Sequence, residues 1–199
     1  MKNFLQIGQI DPLPLLHALA FRPGLWNMDK VRTWHEDSAH KNASDIILRY
    51  NDWDGKEESY VEQVCSELQV KNYPTWDLLP QAQALIFPIL ARVEGLHLGR
   101  VFITKIPPGG IIASHVDRIA PAEEAFPEKI PPAVYYNRYH AVLQSSPGTL
   151  FRCGDETLWL PPGTVWWFNN SLEHEVVNNG ADDRIHLVLD IHVAGRLQG

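Results

Sequence analysis

The second half of the sequence, from Val101 onward, is a series of short segments rich in β-branched and aromatic residues. Clusters of proline, glycine, asparagine and aspartate separate the segments, and such clusters are typical of turns. The segments are VFITKI, YYNRYHAVLQ, TLFRC, ETLWL, TVWWF, HEVVN and RIHLVLDIH. So many short strands in half of a 199-residue chain predict a sandwich, a small barrel or a jelly roll.

The first half has a different pattern, because its apolar residues recur at spacings of three and four, as in amphipathic helices. The helix-like stretches are PLPLLHALA (12–20), SYVEQVCSELQV (59–70) and DLLPQAQALIFPILARVEG (77–95), and DIILRY (45–50) favours a strand. We therefore predict a single, mainly β domain over residues 1–199. Its core is a double-stranded β-helix (a cupin-like jelly roll) at 101–192, with the N-terminal helices of residues 1–100 packed on it.

The composition excludes several classes of protein. Apolar residues make up 45% of the chain and charged residues 21%, which is typical of a globular protein. The net charge of -7 argues against a nucleic-acid partner, since phosphates require a basic surface. Two cysteines, Cys65 and Cys153, do not make a disulfide framework, and we expect both thiols to be reduced.

The longest apolar run, ALIFPILARV at residues 84–93, is too short to span a bilayer and contains Pro88. The N-terminal residues show no sustained apolar stretch of the kind found in signal peptides. We therefore expect a cytoplasmic protein without a membrane partner.

The stretch IASHVDR (112–118) places His115 and Asp117 two residues apart, so both side chains project from the same end of a strand. Alone, this spacing fits a hydrogen-bonded surface pair as well as a pair of metal ligands. His174 lies in a later strand and offers a third ligand. Two imidazoles and one carboxylate on a jelly roll are typical of the facial triad of non-haem Fe(II) oxygenases, which leaves three positions open for a 2-oxo acid and dioxygen.

A 2-oxo acid also requires a cation for its distal carboxylate, and a buried arginine binds such a group through two parallel hydrogen bonds. Arg184 lies on the strand that follows the one bearing His174. The alternative is that Arg184 is a structural residue paired with Asp190.

Four blocks together resemble the aspartyl/asparaginyl β-hydroxylase family of 2-oxoglutarate- and Fe(II)-dependent dioxygenases. They are GGIIASHVD, RYHAVL, GTVWWFNNSLEHEVVN and DRIHLVLDIH. The resemblance covers residues 98–192, about half the chain. It implies that His115, Asp117 and His174 are the metal ligands. Asp117 corresponds to a carboxylate of many members, although the vertebrate aspartyl hydroxylase has glycine there.

The resemblance also implies a binding site for 2-oxoglutarate. Arg184 corresponds to the arginine that holds the 5-carboxylate, and Thr104 to a small hydroxyl residue that assists it. Arg138 and His140 correspond to an Arg-x-His pair that contacts the metal-side carboxylate.

The implied activity is hydroxylation of a C–H bond by Fe(II), 2-oxoglutarate and O2, with succinate and CO2 as co-products. The substrate would be a free amino acid, a related metabolite, or an Asp or Asn side chain of a protein. Two alternatives remain: a non-catalytic cupin-like protein that binds a metal or ligand, and a cupin-type isomerase or dioxygenase independent of 2-oxoglutarate.

Several other residues have open interpretations. The segment 118–134 is either a solvated surface excursion or a lid beside the site. His186 either lines the pocket or is a structural histidine, and His35 with His40 is a weak candidate for a second metal site. Candidates for substrate recognition are Trp26, Trp34, Arg32 and Arg49.

Overall fold

The computed structural model describes residues 2–34, 38–56, 59, 70–117 and 136–194. The strands are β1 (Phe4–Gln9), β2 (Ser44–Asn51), β3 (Val70–Asn72), β4 (Gly95–Ile106), β5 (Ile111–His115), β6 (Tyr136–Gln144), β7 (Thr149–Cys153), β8 (Glu156–Leu158), β9 (Thr164–Phe168), β10 (His174–Asn178) and β11 (Arg184–Val193). The helices are α1 (Leu13–Ala20), the 3-10 helix Pro23–Leu25, α2 (Thr75–Leu78) and α3 (Pro80–Arg92). The segment 118–134, His35 and most of the helix predicted at 59–70 lie outside the described residues.

The described strands form two antiparallel sheets. The larger sheet has the order β1-β9-β6-β11-β4-β2-β3, and the smaller has the order β5-β10-β7-β8. This arrangement confirms the predicted mainly β, jelly-roll fold. Strand β2 confirms the prediction for DIILRY, and it pairs directly with β4. Strand β1 was not predicted, and it closes the other side of the larger sheet by pairing with β9.

Helices α1 and α3 cover the outer face of the larger sheet, and both match predicted helices. Pro88 lies within α3. Their apolar side chains, such as Leu15 and Ile86, form one core cluster with alternate residues of the sheet. In β11 the residues that face this cluster are Ile185, Leu187, Leu189 and Ile191. These residues alternate along the strand, so the two-residue period of a β-strand places them on one face.

The opposite face of β11 is turned toward the smaller sheet, and it carries Arg184, His186, Val188 and Asp190. All four residues are buried. A second apolar cluster that includes Phe151, Phe168 and Val176 packs between the two sheets around these polar side chains. Polar residues are therefore enclosed between two β layers, which is where a ligand would be shielded from water. Among the described residues, no helix is long and apolar enough to cross a membrane.

Candidate functional site

The two sheets bring His115, Asp117 and His174 together. His115 is the last residue of β5 and His174 the first of β10, and these residues are direct partners in the antiparallel pair. Asp117 follows β5 by two residues. Its Oδ1 lies 3.8 Å from His115 Nε2, and its Oδ2 lies 3.6 Å from His174 Nε2. Each residue offers one ligand atom, and these atoms lie within 4.8 Å of one another.

Backbone carbonyls set the orientation of both imidazoles. The Nδ1 of His115 lies 2.7 Å from the Ala113 carbonyl, and the Nδ1 of His174 lies 2.9 Å from the Leu172 carbonyl. Since a carbonyl can only accept, each Nδ1 carries the proton and each Nε2 keeps a lone pair. Burial lowers the pKa of His174 to about 4 and also lowers the pKa of His115. Both rings are therefore neutral near pH 7, as metal ligation requires.

Asp117 is held in its ionised form by Arg138. Burial by itself would raise the pKa of Asp117, but the Arg138 guanidinium and the two imidazoles outweigh it and lower the pKa. Arg138 Nη1 lies 2.5 Å from Asp117 Oδ2. The guanidinium also binds Asp190 through two hydrogen bonds of 2.7 and 2.8 Å. Arg138 thus links the carboxylate of the triad to a buried acid on β11.

Among the residues that the structure describes, no acid pairs with Arg184. Its side chain is 1% exposed, yet Nη1 and Nη2 have no hydrogen-bond partner among the described residues. The hydroxyl of Thr104, on the neighbouring strand β4, is likewise buried and unpartnered. The alternative in which Asp190 pairs with Arg184 is wrong, because Asp190 binds Arg138. Burial lowers the pKa of Arg184 to about 9, so the guanidinium is still charged at neutral pH.

A buried cation with two unused donors is strongly unfavourable unless a ligand supplies an anion. The groups around Arg184 therefore have the chemistry of a carboxylate site. It opens into the same cavity as the triad, because Arg184, Thr104, His115 and His174 all line that cavity. Its apolar walls are formed by Phe102, Ile112, Phe151, Phe168, Val176 and Val188.

Arg138 and His140 are two residues apart in β6 and therefore share one face of the strand, and both side chains line the cavity. Burial and the nearby Arg184 lower the pKa of His140 well below its ordinary value, so this ring is neutral. Its Nδ1 lies 3.1 Å from Nδ1 of His186. His186 therefore supports the wall of the cavity from behind.

Two lining residues come from the N-terminal half of the chain. The His40 ring packs edge-on against the His115 ring, with centroids 4.8 Å apart. Arg32 is buried, forms an ion pair of 2.7 Å with Asp45, and lies 3.8 Å above the Phe102 ring. No spacing rule in the sequence connects these residues to the triad, because only tertiary packing brings them there.

Of the four residues proposed for substrate recognition, only Arg32 lines the cavity. Arg49 hydrogen-bonds Leu98 and Asn72, and together with them it lines a separate groove. Trp34 stacks on Trp53, and Trp26 lies beneath the Lys105 ammonium. His40 belongs to the cavity of the triad, and His35 is not described.

The sequence was compared with models of known protein families. The model described as aspartyl/asparaginyl β-hydroxylase matches residues 27–193. The chain belongs to this family. A curated collection of proteins contains no match. The family and its fold identify the chain as an enzyme, a non-haem iron dioxygenase of the hydroxylase type.

Comparison with solved structures supports the same fold. The viral collagen prolyl hydroxylase of Paramecium bursaria Chlorella virus-1, in its 2-oxoglutarate complex, has a TM-score of 0.53 at 11% identity, with 98% of this chain and 97% of that chain covered. An oxidoreductase of the 2OG-Fe(II) oxygenase family from Burkholderia pseudomallei has a TM-score of 0.50 at 15% identity. That alignment covers 88% of this chain and 78% of the other. At such low identity the likeness extends to the fold alone.

Proposed function

We propose that this member of the family is an Fe(II)- and 2-oxoglutarate-dependent hydroxylase of an amino-acid-type substrate, with succinate and CO2 as co-products. The observation that carries the proposal is the buried guanidinium of Arg184, whose Nη1 and Nη2 have no hydrogen-bond partner among the described residues. Arg184 lines the same cavity as the two histidines of the His-Asp-His triad. A metal site alone does not require such a cation, whereas a chelating dicarboxylate does.

His115, Asp117 and His174 would hold the Fe(II). Two neutral nitrogen donors and one carboxylate suit this ion, and three protein ligands leave the remaining positions of an octahedron open. When bound, the iron and 2-oxoglutarate would, with O2 as the oxidant, supply the chemistry that hydroxylates an unactivated C–H bond. Arg138 keeps Asp117 ionised and oriented, and Asp190 keeps Arg138 in place.

Arg184 and Thr104 would bind the distal carboxylate of 2-oxoglutarate, since both have unsatisfied donors that face the cavity. His140 would donate a hydrogen bond to the metal-side carboxylate. Phe151 and Phe168 exclude water from the space between these polar groups. Excluding water strengthens every hydrogen bond and charge interaction inside the site.

The substrate would approach from the side of Arg32 and His40. Arg32 donates a hydrogen bond to Asp45 through Nη1, and its side chain lines the cavity. A guanidinium at this position suits the carboxylate of a free amino acid, of a related metabolite, or of an aspartyl side chain. The neutral ring of His40 is a hydrogen-bonding neighbour for the same group.

The proposal is tested first without substrate. Anaerobic addition of Fe(II) and 2-oxoglutarate should produce a visible charge-transfer band that neither component gives alone. In air, succinate release should then be screened across free amino acids and peptides that contain Asp or Asn. No band and no succinate with any candidate would refute the oxygenase assignment, and metal binding without either signal would indicate a non-catalytic binding protein.

A further inference from the structure

The imidazoles of His140 and His186 form a pair at the wall of the proposed 2-oxoglutarate site. Metal ligation does not explain this pair. The two Nδ1 atoms are 3.1 Å apart. His140 lines the cavity, whereas His186 is 1% exposed and lies behind it. Because Nδ1 of His140 is engaged by His186, Nε2 is the ring nitrogen of His140 that remains for the cavity.

A contact of this length between two ring nitrogens requires one proton between them, since two lone pairs or two N–H groups would repel. Both rings are neutral, because burial and the nearby Arg184 guanidinium disfavour protonation of either one. The pair therefore has two arrangements. Either His186 donates to His140, which leaves His140 with Nε2–H, or His140 donates to His186, which leaves His140 with a lone pair at Nε2.

Two observations favour donation by His186. The Nε2 of His186 is buried and has no partner among the described residues. If His140 were the donor, that Nε2 would be an orphaned N–H, and buried orphaned N–H groups are rarer than under-satisfied acceptors. Furthermore, the cavity already presents the Arg184 guanidinium and the Thr104 hydroxyl, both suited to an anion. A lone pair of His140 facing that anion would repel it, whereas Nε2–H would bind it.

We propose that His186 is a positioning residue that holds His140 in the Nε2–H tautomer, so that His140 donates a hydrogen bond to a carboxylate of 2-oxoglutarate. This role rests on the proposed cosubstrate, but the tautomer itself is a property of the ligand-free protein. His186 does not touch the cosubstrate. It acts by fixing the direction in which the proton of His140 points.

The tautomer is measured directly by long-range 1H–15N correlation spectra of ¹⁵N-histidine-labelled, metal-free protein at pH 7. Spectra of His140→Gln and His186→Asn assign the two rings. We expect His140 as the Nε2–H tautomer and His186 as the Nδ1–H tautomer. The proposal is overturned by a spectrum in which His140 carries its proton on Nδ1 or is an imidazolium.

Two substitutions test the consequence for binding. His186→Leu removes the donor, and we expect about tenfold weaker binding of 2-oxoglutarate to the anaerobic Fe(II) protein, the value of roughly one hydrogen bond to a charged group. His186→Asn keeps an N–H at a similar position and should restore most of the affinity. His192→Leu, on the same strand but away from the cavity, is the matched control and should leave affinity unchanged.

The outcomes separate this proposal from the proposed function. If the wild-type protein binds no 2-oxoglutarate, the cosubstrate is wrong, and the spectrum still decides the tautomer. If it binds 2-oxoglutarate but His186→Leu binds equally well, or if His186→Asn is as weak as His186→Leu, the positioning role is refuted. If His186→Leu does not fold, the wild-type spectrum and the affinity of His186→Asn decide.

Discussion

Replacing Arg184 with methionine should change cosubstrate binding and fold stability in opposite directions. Methionine keeps much of the volume and the apolar stem but removes the guanidinium. In the described part of the ligand-free protein this guanidinium is buried without an acid partner, and burial lowers its pKa from 12.5 to about 9. At about 1.4 kcal/mol per pKa unit, this difference disfavours the charged form by roughly 5 kcal/mol. That value is an upper bound on the gain in the free energy of unfolding when the guanidinium is removed.

Part of that gain is lost through imperfect packing of the new side chain, so we expect Arg184→Met to stabilise the ligand-free protein by ~1–3 kcal/mol. Two hydrogen bonds from Arg184 to a carboxylate contribute about 1.5–3 kcal/mol each. Their loss should weaken 2-oxoglutarate by a factor of at least ~100. Fe(II) binding should be nearly unchanged, since Arg184 is not a ligand.

The assays are urea unfolding of the metal-free protein and anaerobic titration of the Fe(II) protein with 2-oxoglutarate. Arg152→Met is the matched control, because Arg152 also lies in a strand but forms a half-exposed ion pair with Glu175. That substitution should leave both the free energy of unfolding and the cosubstrate affinity nearly unchanged, because an exposed ion pair contributes little. If Arg184→Met destabilises the protein while cosubstrate affinity stays the same, Arg184 has a structural partner and the carboxylate-site reasoning is refuted.

Two further predictions concern the groups around the triad. The pKa of His174 is about 4 in the folded chain, so the unfolded chain binds more protons between pH 6.5 and 4. The free energy of unfolding of the metal-free protein should therefore fall by ~3 kcal/mol as the pH falls through that window. Urea unfolding at several pH values measures this loss, and a stability that does not change with pH would contradict the prediction. Asp190→Asn should weaken metal binding by roughly 10–100-fold, because Arg138 loses the acid that positions it against Asp117. Titration with Co(II) measures the metal affinity, and an affinity equal to that of the wild type would show that Asp190 does not support the site.

Local features of the site were predictable from the sequence. The two-residue period of a strand places Arg138 with His140, and Arg184 with His186, on a common face. The same period separates the apolar residues of β11 from its polar residues, and the structure shows one set against the helices and the other between the sheets. These predictions succeeded because each depends on backbone geometry within a single strand.

The N-terminal contribution to the cavity was predictable only in part: Arg32 was one of four candidates for substrate recognition, whereas His40 was considered only for a second metal site. Arg32 and His40 each lie at a turn position before β2, so no periodicity reveals the direction of their side chains. Strand β1 was missed for a related reason: FLQIGQ is a short segment with weak alternation, and its pairing with β9 stabilises it as a strand. Long-range packing decides such elements.

The sequence by itself determined the strand-rich second half, the pairing of His115 with Asp117 at one strand end, and the family. Tertiary structure alone decided which side chains meet. The register of β5 against β10 places His174 opposite His115. Asp190 binds Arg138, and the Arg184 guanidinium nitrogens Nη1 and Nη2 have no hydrogen-bond partner among the described residues. The physical reason is the sequence separation of the interacting residues. Strand alternation follows from neighbouring residues, whereas ion-pair partners and sheet register follow from the free energy of the whole packed fold.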